Sequence, residues 1–143
     1  MNSKPFILDC STAMSWCFKD EFNEYSKLTL NYCNKFTVTV PPLWKLEITS
    51  ALLIAEKRSR INIADSTRFI DLLDTLPINV SDLSFSIYEL INVARSNNLT
   101  SYDAAYLMLA MHEGLSIATN DKALIRVCHH NGVQLLKEIS HIS

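Results

Sequence analysis

The chain has 143 residues, with 13 Lys and Arg against 15 Asp and Glu for a formal charge of −2, and is 48% hydrophobic and 20% charged with only two glycines. One hydrophobic core is expected at this length, and the composition excludes a disordered chain, a low-complexity fibre and a protein that holds nucleic acid by a broad basic surface. No apolar run approaches the ~20 residues of a membrane span, and the start MNSKPFILDCS lacks the apolar stretch and cleavage site of a secretory signal, so a single cytoplasmic domain over 1–143 is the expectation.

In chain order, PFILD (5–9) is a short apolar run that stops at an acid and predicts a first strand. Helical spacing follows over 11–18 and 21–34. FTVTV (36–40), β-branched and closed by Pro41 and Pro42, predicts the second strand, followed by helices over 43–58 and 64–75. LPINV (76–80) predicts the third strand. The next helix spans 83–96, where Leu83, Ile87, Leu90, Ile91 and Ala94 recur at three and four residues and leave Glu89 and Arg95 on the wet side. A helix over 102–113, a strand LSIAT (115–119), a helix over 122–130 and a strand VQLL (133–136) complete the chain. Strands alternating with helices, without two-residue hairpin signals, predict a parallel five-stranded sheet covered on both faces, the three-layer α/β/α class. Such sheets carry their sites beyond the carboxyl ends of the strands.

The four cysteines, Cys10, Cys17, Cys33 and Cys128, form no C-x-x-C pair, and three fall within apolar segments, which predicts reduced, buried thiols. His129 and His130 are adjacent rather than at a helical chelating spacing, so no zinc site is expected.

Four acids stand out. Asp9 closes the first strand, where it either projects into the cleft or caps the following helix. Glu47 shares a face with Leu43, Ala51 and Ile54, where a charge is costly unless compensated, so a cation is expected opposite it unless the side chain reaches water. Asp103 lies on the face of Leu107, Ala110 and Met111, although Thr100 three residues earlier also suits a capping arrangement. Asp121 follows the fourth strand and opens the last helix, with Thr119 and Asn120 beside it as hydrogen-bonding neighbours. If the first and fourth strands are neighbours, all four acids converge on one crevice. Carboxylates so gathered must be protonated or bridged by cations, for which the hard ions Mg²⁺ and Mn²⁺ are suited.

FILDCSTAMSWCFKDE, the Glu of PPLWKLEITSAL, LTSYDAAYLMLA and IATNDKAL resemble, in order and spacing, the four acidic motifs of PIN-domain ribonucleases, particularly the small bacterial VapC-like toxins, from about residue 6 to 135. The resemblance implies a PIN-like sheet of strand order 3-2-1-4-5 and divalent-metal-dependent endonuclease activity on RNA, usually tRNA or rRNA in the toxins. It also implies products with a 5′-phosphate and 3′-hydroxyl, inhibition by a small cognate antitoxin, and a homodimer. On this resemblance Asp9, Glu47, Asp103 and Asp121 are the catalytic carboxylates that hold one or two Mg²⁺ or Mn²⁺. Ser11 and Thr119 match the small hydroxyl residues beside the first and fourth acids, Thr119 being counted with the catalytic set, and Asn120 is a supporting neighbour.

Two bound divalent ions would reverse the sign of the net −2. Lys45, Lys122 and Arg126, with Lys57, Arg58 and Arg60, lie on or beside helices that carry the acids and are candidate contacts for an RNA backbone. Trp16, Phe18, Phe22 and Tyr25 belong either to the core or to a groove for an antitoxin helix or a second copy. Two other classes compete with the nuclease: a receiver-like Mg²⁺-binding signalling module and a non-catalytic interaction domain. The receiver wants an acidic pair at the end of its first strand, whereas LDCS offers one acid.

Overall fold

A computed structural model describes residues 5–137. In chain order its elements are β1 (Phe6–Leu8), α1 (Cys10–Ser15), α2 (Glu24–Cys33), β2 (Val38–Val40), α3 (Leu43–Lys57), α4 (Ile63–Asp74), β3 (Ile78–Val80), α5 (Ile87–Asn97), α6 (Ser101–Glu113), β4 (Ile117–Ala118) and α7 (Lys122–His130). The strands pair in parallel in the order β3-β2-β1-β4, with Phe6 opposite Val38, Ile7 opposite Ile117 and Val38 opposite Ile78. The chain therefore builds outward from β1 on one side and returns to its other side with β4. The order reverses between β1 and β4, the place where parallel sheets open a crevice.

Burial explains the strand composition. Ile7, Leu8, Val38, Val40, Ile117 and Ala118 have no exposed surface, as expected of strands with both faces covered. Helix α6 is buried continuously from Ala104 to Ala110, so it is a central helix rather than an amphipathic surface one. Among the described residues no helix is long and apolar enough to cross a membrane.

The described sheet has four strands rather than the expected five. VQLL lies beside β4 but joins it by a single parallel bridge, Leu135 opposite Ile117, with the Ile117 N–H donating to the Gln134 carbonyl at 3.0 Å and the Leu136 N–H to the Ile117 carbonyl at 2.8 Å. β4 is only two residues long, too short to template a longer ladder.

Helix starts differ where side-chain caps decide them. α2 starts at Glu24 because Asn23 and Ser26 exchange side-chain-to-backbone hydrogen bonds, and α5 starts at Ile87 because Ser86 and Glu89 do the same. The expected inward stripe of α5 is also corrected. Ile87 is 83% exposed, Ile91 is exposed, and none of the helix's residues is fully buried. α5 packs chiefly on α6 at the margin of the molecule, so one neighbour covers too little of its apolar face. Met111 of α6 is likewise exposed.

Several helices end on a residue with left-handed backbone. After α3, Ser59 (φ 56°) lets its own N–H reach the Glu56 carbonyl at 3.0 Å and the Arg60 N–H reach the Ala55 carbonyl at 2.9 Å, the paired closure of a Schellman end. Gly114 (φ 66°) ends α6, with nothing within 4 Å of where a Cβ would stand. Ser59→Gly is expected to raise stability by about 0.5–1 kcal/mol and Gly114→Ala to lower it by about 1 kcal/mol, both through backbone conformation alone. Urea unfolding of the two variants beside the parent checks both signs.

Candidate functional site

The reversal point between β1 and β4 is where the first acid lies. The Asp9 N–H continues the ladder by donating to the Ala118 carbonyl at 3.1 Å, which aligns the ends of the two strands. Asp9 is 4% exposed, and its carboxylate accepts from three donors. Its Oδ1 accepts the Thr12 N–H and the Ser11 hydroxyl, each at 2.9 Å, and its Oδ2 accepts the Thr119 hydroxyl. Thr119 in turn accepts the Asp121 N–H at 2.9 Å, and Asp121 caps α7 by accepting the Leu124 N–H at 3.0 Å. One buried hydroxyl thus ties the first acid to the fourth. Capping and cleft-lining, alternatives for Asp9 in the sequence, are both true of it, and Asp121 likewise does both.

Glu47 arrives from α3 and Asp103 from the first turn of α6. The positive partner expected opposite Glu47 is not what the structure supplies: among the described residues Glu47 makes no ion pair, and instead the Tyr106 hydroxyl donates to its Oε1 at 2.6 Å. Tyr106 is buried on the central helix, and a buried phenol needs such a partner. Asp103 is placed by Thr100, whose hydroxyl accepts the Asp103 N–H at 3.1 Å. Asp9, Glu47, Asp103 and Asp121 all line one cavity of about 490 Å³, with Ser11, Glu21, Arg58 and Arg60 among its other walls.

The acids sense one another. Burial, then repulsion from Asp121, Asp9 and Glu47, pushes the Asp103 carboxyl up to about 6. Burial raises Asp9 against the opposing hydrogen bonds from Thr119, Thr12 and Ser11. It also raises Glu47, where the Tyr106 bond opposes and Asp9 reinforces the shift. Among the described residues no three His, Cys, Asp or Glu side chains converge tightly enough to enclose an ion. The carboxylates surround a cavity instead of closing a cage, an arrangement with room for the waters that Mg²⁺ keeps.

The profile described as PIN domain matches residues 6–130. The chain belongs to the PIN domain family. No curated protein sequence matches it. Among twelve matching chains of solved structure is one described as the crystal structure of PAE2754 from Pyrobaculum aerophilum, with TM-score 0.66 and 22% identity over 85% of this chain and 84% of that one. At that identity the likeness speaks for the fold. The PIN family is in general a nuclease family, whose members usually depend on a divalent metal.

Within this PIN domain the candidates separate clearly. The four acids and Ser11 share the cavity, and Thr119 sits behind it in contact with Asp9. Asn120 is exposed and does not line the cavity, nor do Lys45, Lys57, Lys122 and Arg126, whereas Arg58 and Arg60 do. Tyr106 was missed from the sequence. The available signal was a lone phenol in an otherwise apolar helical run, three residues after Asp103. Of the aromatics near the first two helices, Trp16 donates to the Ser26 carbonyl at 3.0 Å, Tyr25 donates to the Leu136 carbonyl at 2.8 Å, Phe18 is buried and Phe22 is exposed. Cys33 and Cys128 are buried as expected, while Cys10 and Cys17 are half-buried, and all four are free thiols.

Asp103 binds its proton more tightly in the folded chain than at its ordinary value of 3.8. Its contribution to stability is therefore present below about pH 4 and lost as pH rises through about 6. Thermal unfolding of the metal-free protein should show a midpoint that falls between about pH 4 and about pH 6.5, with the slope reduced in Asp103→Asn. An unchanged slope in the variant would assign the pH dependence elsewhere.

Proposed function

We propose that this PIN domain is a Mg²⁺- or Mn²⁺-dependent endoribonuclease that hydrolyses RNA phosphodiester bonds, serving as the toxin of a toxin–antitoxin pair with tRNA or rRNA as substrate. The observation that carries the reading is the gathering of Asp9, Glu47, Asp103 and Asp121 around one cavity at the carboxyl ends of β1 and β4. Burial and, after it, their mutual repulsion raise Asp103, and a hard cation would relieve both.

In this reading Asp9, Glu47, Asp103 and Asp121 would hold one or two ions, which when bound would supply water activation and charge neutralisation at the phosphate. The chain's own residues set the geometry. Ser11, Thr12 and Thr119 hold Asp9 in one rotamer, Tyr106 holds Glu47, and the Thr119 to Asp121 bond fixes the opposite wall. The cavity contains no histidine pair, so the chemistry rests on the carboxylates.

The toxin assignment draws on the resemblance and on a second cavity. Of about 740 Å³, it is walled by Trp16, Phe18, Phe69 and Leu72 with Arg60 and Arg68 beside them. An apolar floor with charged edges suits an amphipathic antitoxin helix, and Phe18 and Arg60 also wall the carboxylate cavity. The exposed Leu46, Leu53, Ile87 and Tyr88 offer apolar surface for a homodimer. A short upstream reading frame encoding a DNA-binding protein would support the pairing.

Single-stranded RNA incubated with the protein and Mn²⁺ should be cut, with cleavage abolished by EDTA, reduced at least about a hundredfold in Asp9→Ala and about 10- to 100-fold in Thr119→Val. RNA left intact under these conditions would instead favour the non-catalytic interaction domain. Tyr106→Phe should weaken Mn²⁺ binding by about tenfold in calorimetry. Unaltered binding would show that Glu47 needs no such support.

A further inference from the structure

Helix α3 gives one whole face to the carboxylate cavity. Glu47, Ala51, Ile54, Ala55 and Arg58 all line it, at the offsets of four, seven, eight and eleven residues that keep side chains on one side of a helix. At 1.5 Å per residue, the path from Glu47 to Arg58 runs roughly 16 Å along the helix axis. The cavity is thus a trough along α3, with Glu47 towards one end, Arg58 at the other, and apolar surface from Ala51 and Ile54 between them.

The two arginines of this trough are in different states. Arg60 is engaged, with 2.9 Å contacts to Asp20 and Glu21 and its guanidinium 3.7 Å above the Phe18 ring. The Arg58 backbone N–H closes α3 on the Ile54 carbonyl at 3.0 Å, but its guanidinium makes no hydrogen bond or ion pair among the described residues, although it borders a cavity walled by five acidic residues, Asp9, Glu21, Glu47, Asp103 and Asp121. The left-handed turn at Ser59 lies between the two arginines and fixes the chain there. Arg58 is exposed and always charged, and its planar fork of donors is matched to phosphate oxygens.

We propose that Arg58 binds a phosphate of the nucleic-acid strand other than the one that reacts, so that the strand lies along α3 with its reacting phosphate at the Glu47 end. Ile54, half of whose surface is exposed, then meets a sugar or base partway along the track. The proposal rests on the nuclease reading for the identity of the strand. It adds a direction and a minimum length to the substrate, because a fragment too short to reach Arg58 forgoes this contact.

The test uses fluorescence anisotropy of labelled single-stranded 2′-O-methyl oligonucleotides in Ca²⁺, with the full chain. Arg58→Ala should weaken binding about tenfold and reduce the slope of log affinity against log salt by about 0.7, the share of one phosphate on a single strand. Arg58→Lys, which keeps the charge without the planar fork, should restore the salt slope and only part of the affinity. Within a series carrying one neutral methylphosphonate each, a single non-scissile position should cost the parent that same factor and cost Arg58→Ala nothing. Mn²⁺ affinity should be equal in parent and Arg58→Ala. Equal oligonucleotide affinity in the two proteins, the absence of a discriminating methylphosphonate position, or a parallel loss of Mn²⁺ binding would each overturn the proposal. Binding through Arg58 without cleavage of RNA would sink the nuclease reading alone, whereas cleavage with Arg58→Ala binding like the parent would sink this inference alone.

Discussion

The site is organised by the hydrogen bond from the Thr119 hydroxyl to the buried Asp9 carboxylate, which joins positions 110 residues apart in the chain. A carboxylate with 4% exposure is tolerated only when its lone pairs are occupied. The donors come from Ser11, Thr12 and Thr119, and Thr119 is positioned only when β4 lies beside β1. Burying the first acid and pairing the central strands are therefore a single event, and that event also places the loop to Asp121.

The same economy appears at the helix ends. Asp9 and Asp121 satisfy the unpaired N–H groups of α1 and α7 while facing the cavity, and Thr100 caps α6 through the backbone of Asp103. A helix start immediately after a strand end supplies both an orientation for a carboxylate and partial positive charge near it. Those interactions hold the acidic side chains in place, but they do not remove the repulsion between them. Asp103 is raised by its burial and, after that, by this remaining repulsion.

Much of this was legible in the sequence because it depended on local pattern. The strand-helix alternation, the buried β-branched runs and the four acids at strand ends or inward helix positions follow from periodicity and from the cost of buried charge. The features that were not legible depended on tertiary partners. Glu47 invites a cation by its sequence neighbours, and only the packing of α6 on α3 supplies the Tyr106 phenol in its stead. α5 has a helical apolar stripe, but its marginal position leaves Ile87 in water. The fifth strand shrinks to a bridge because a two-residue β4 offers too few partners. The distinction between Arg58 and Arg60, two residues apart, arises entirely from the acids near Arg60 and the turn at Ser59.

The brevity of β4 has a consequence for how the molecule comes apart. Two ladder residues and one bridge hold this margin of the sheet, while α6 behind it is packed along its whole middle. Breathing motions that begin at the weakly laddered margin would lift Thr119 off Asp9 before the helical interior loosens. The acidic centre would then lose its shape in a molecule that is still mostly native, making the chemistry more fragile than the fold that carries it.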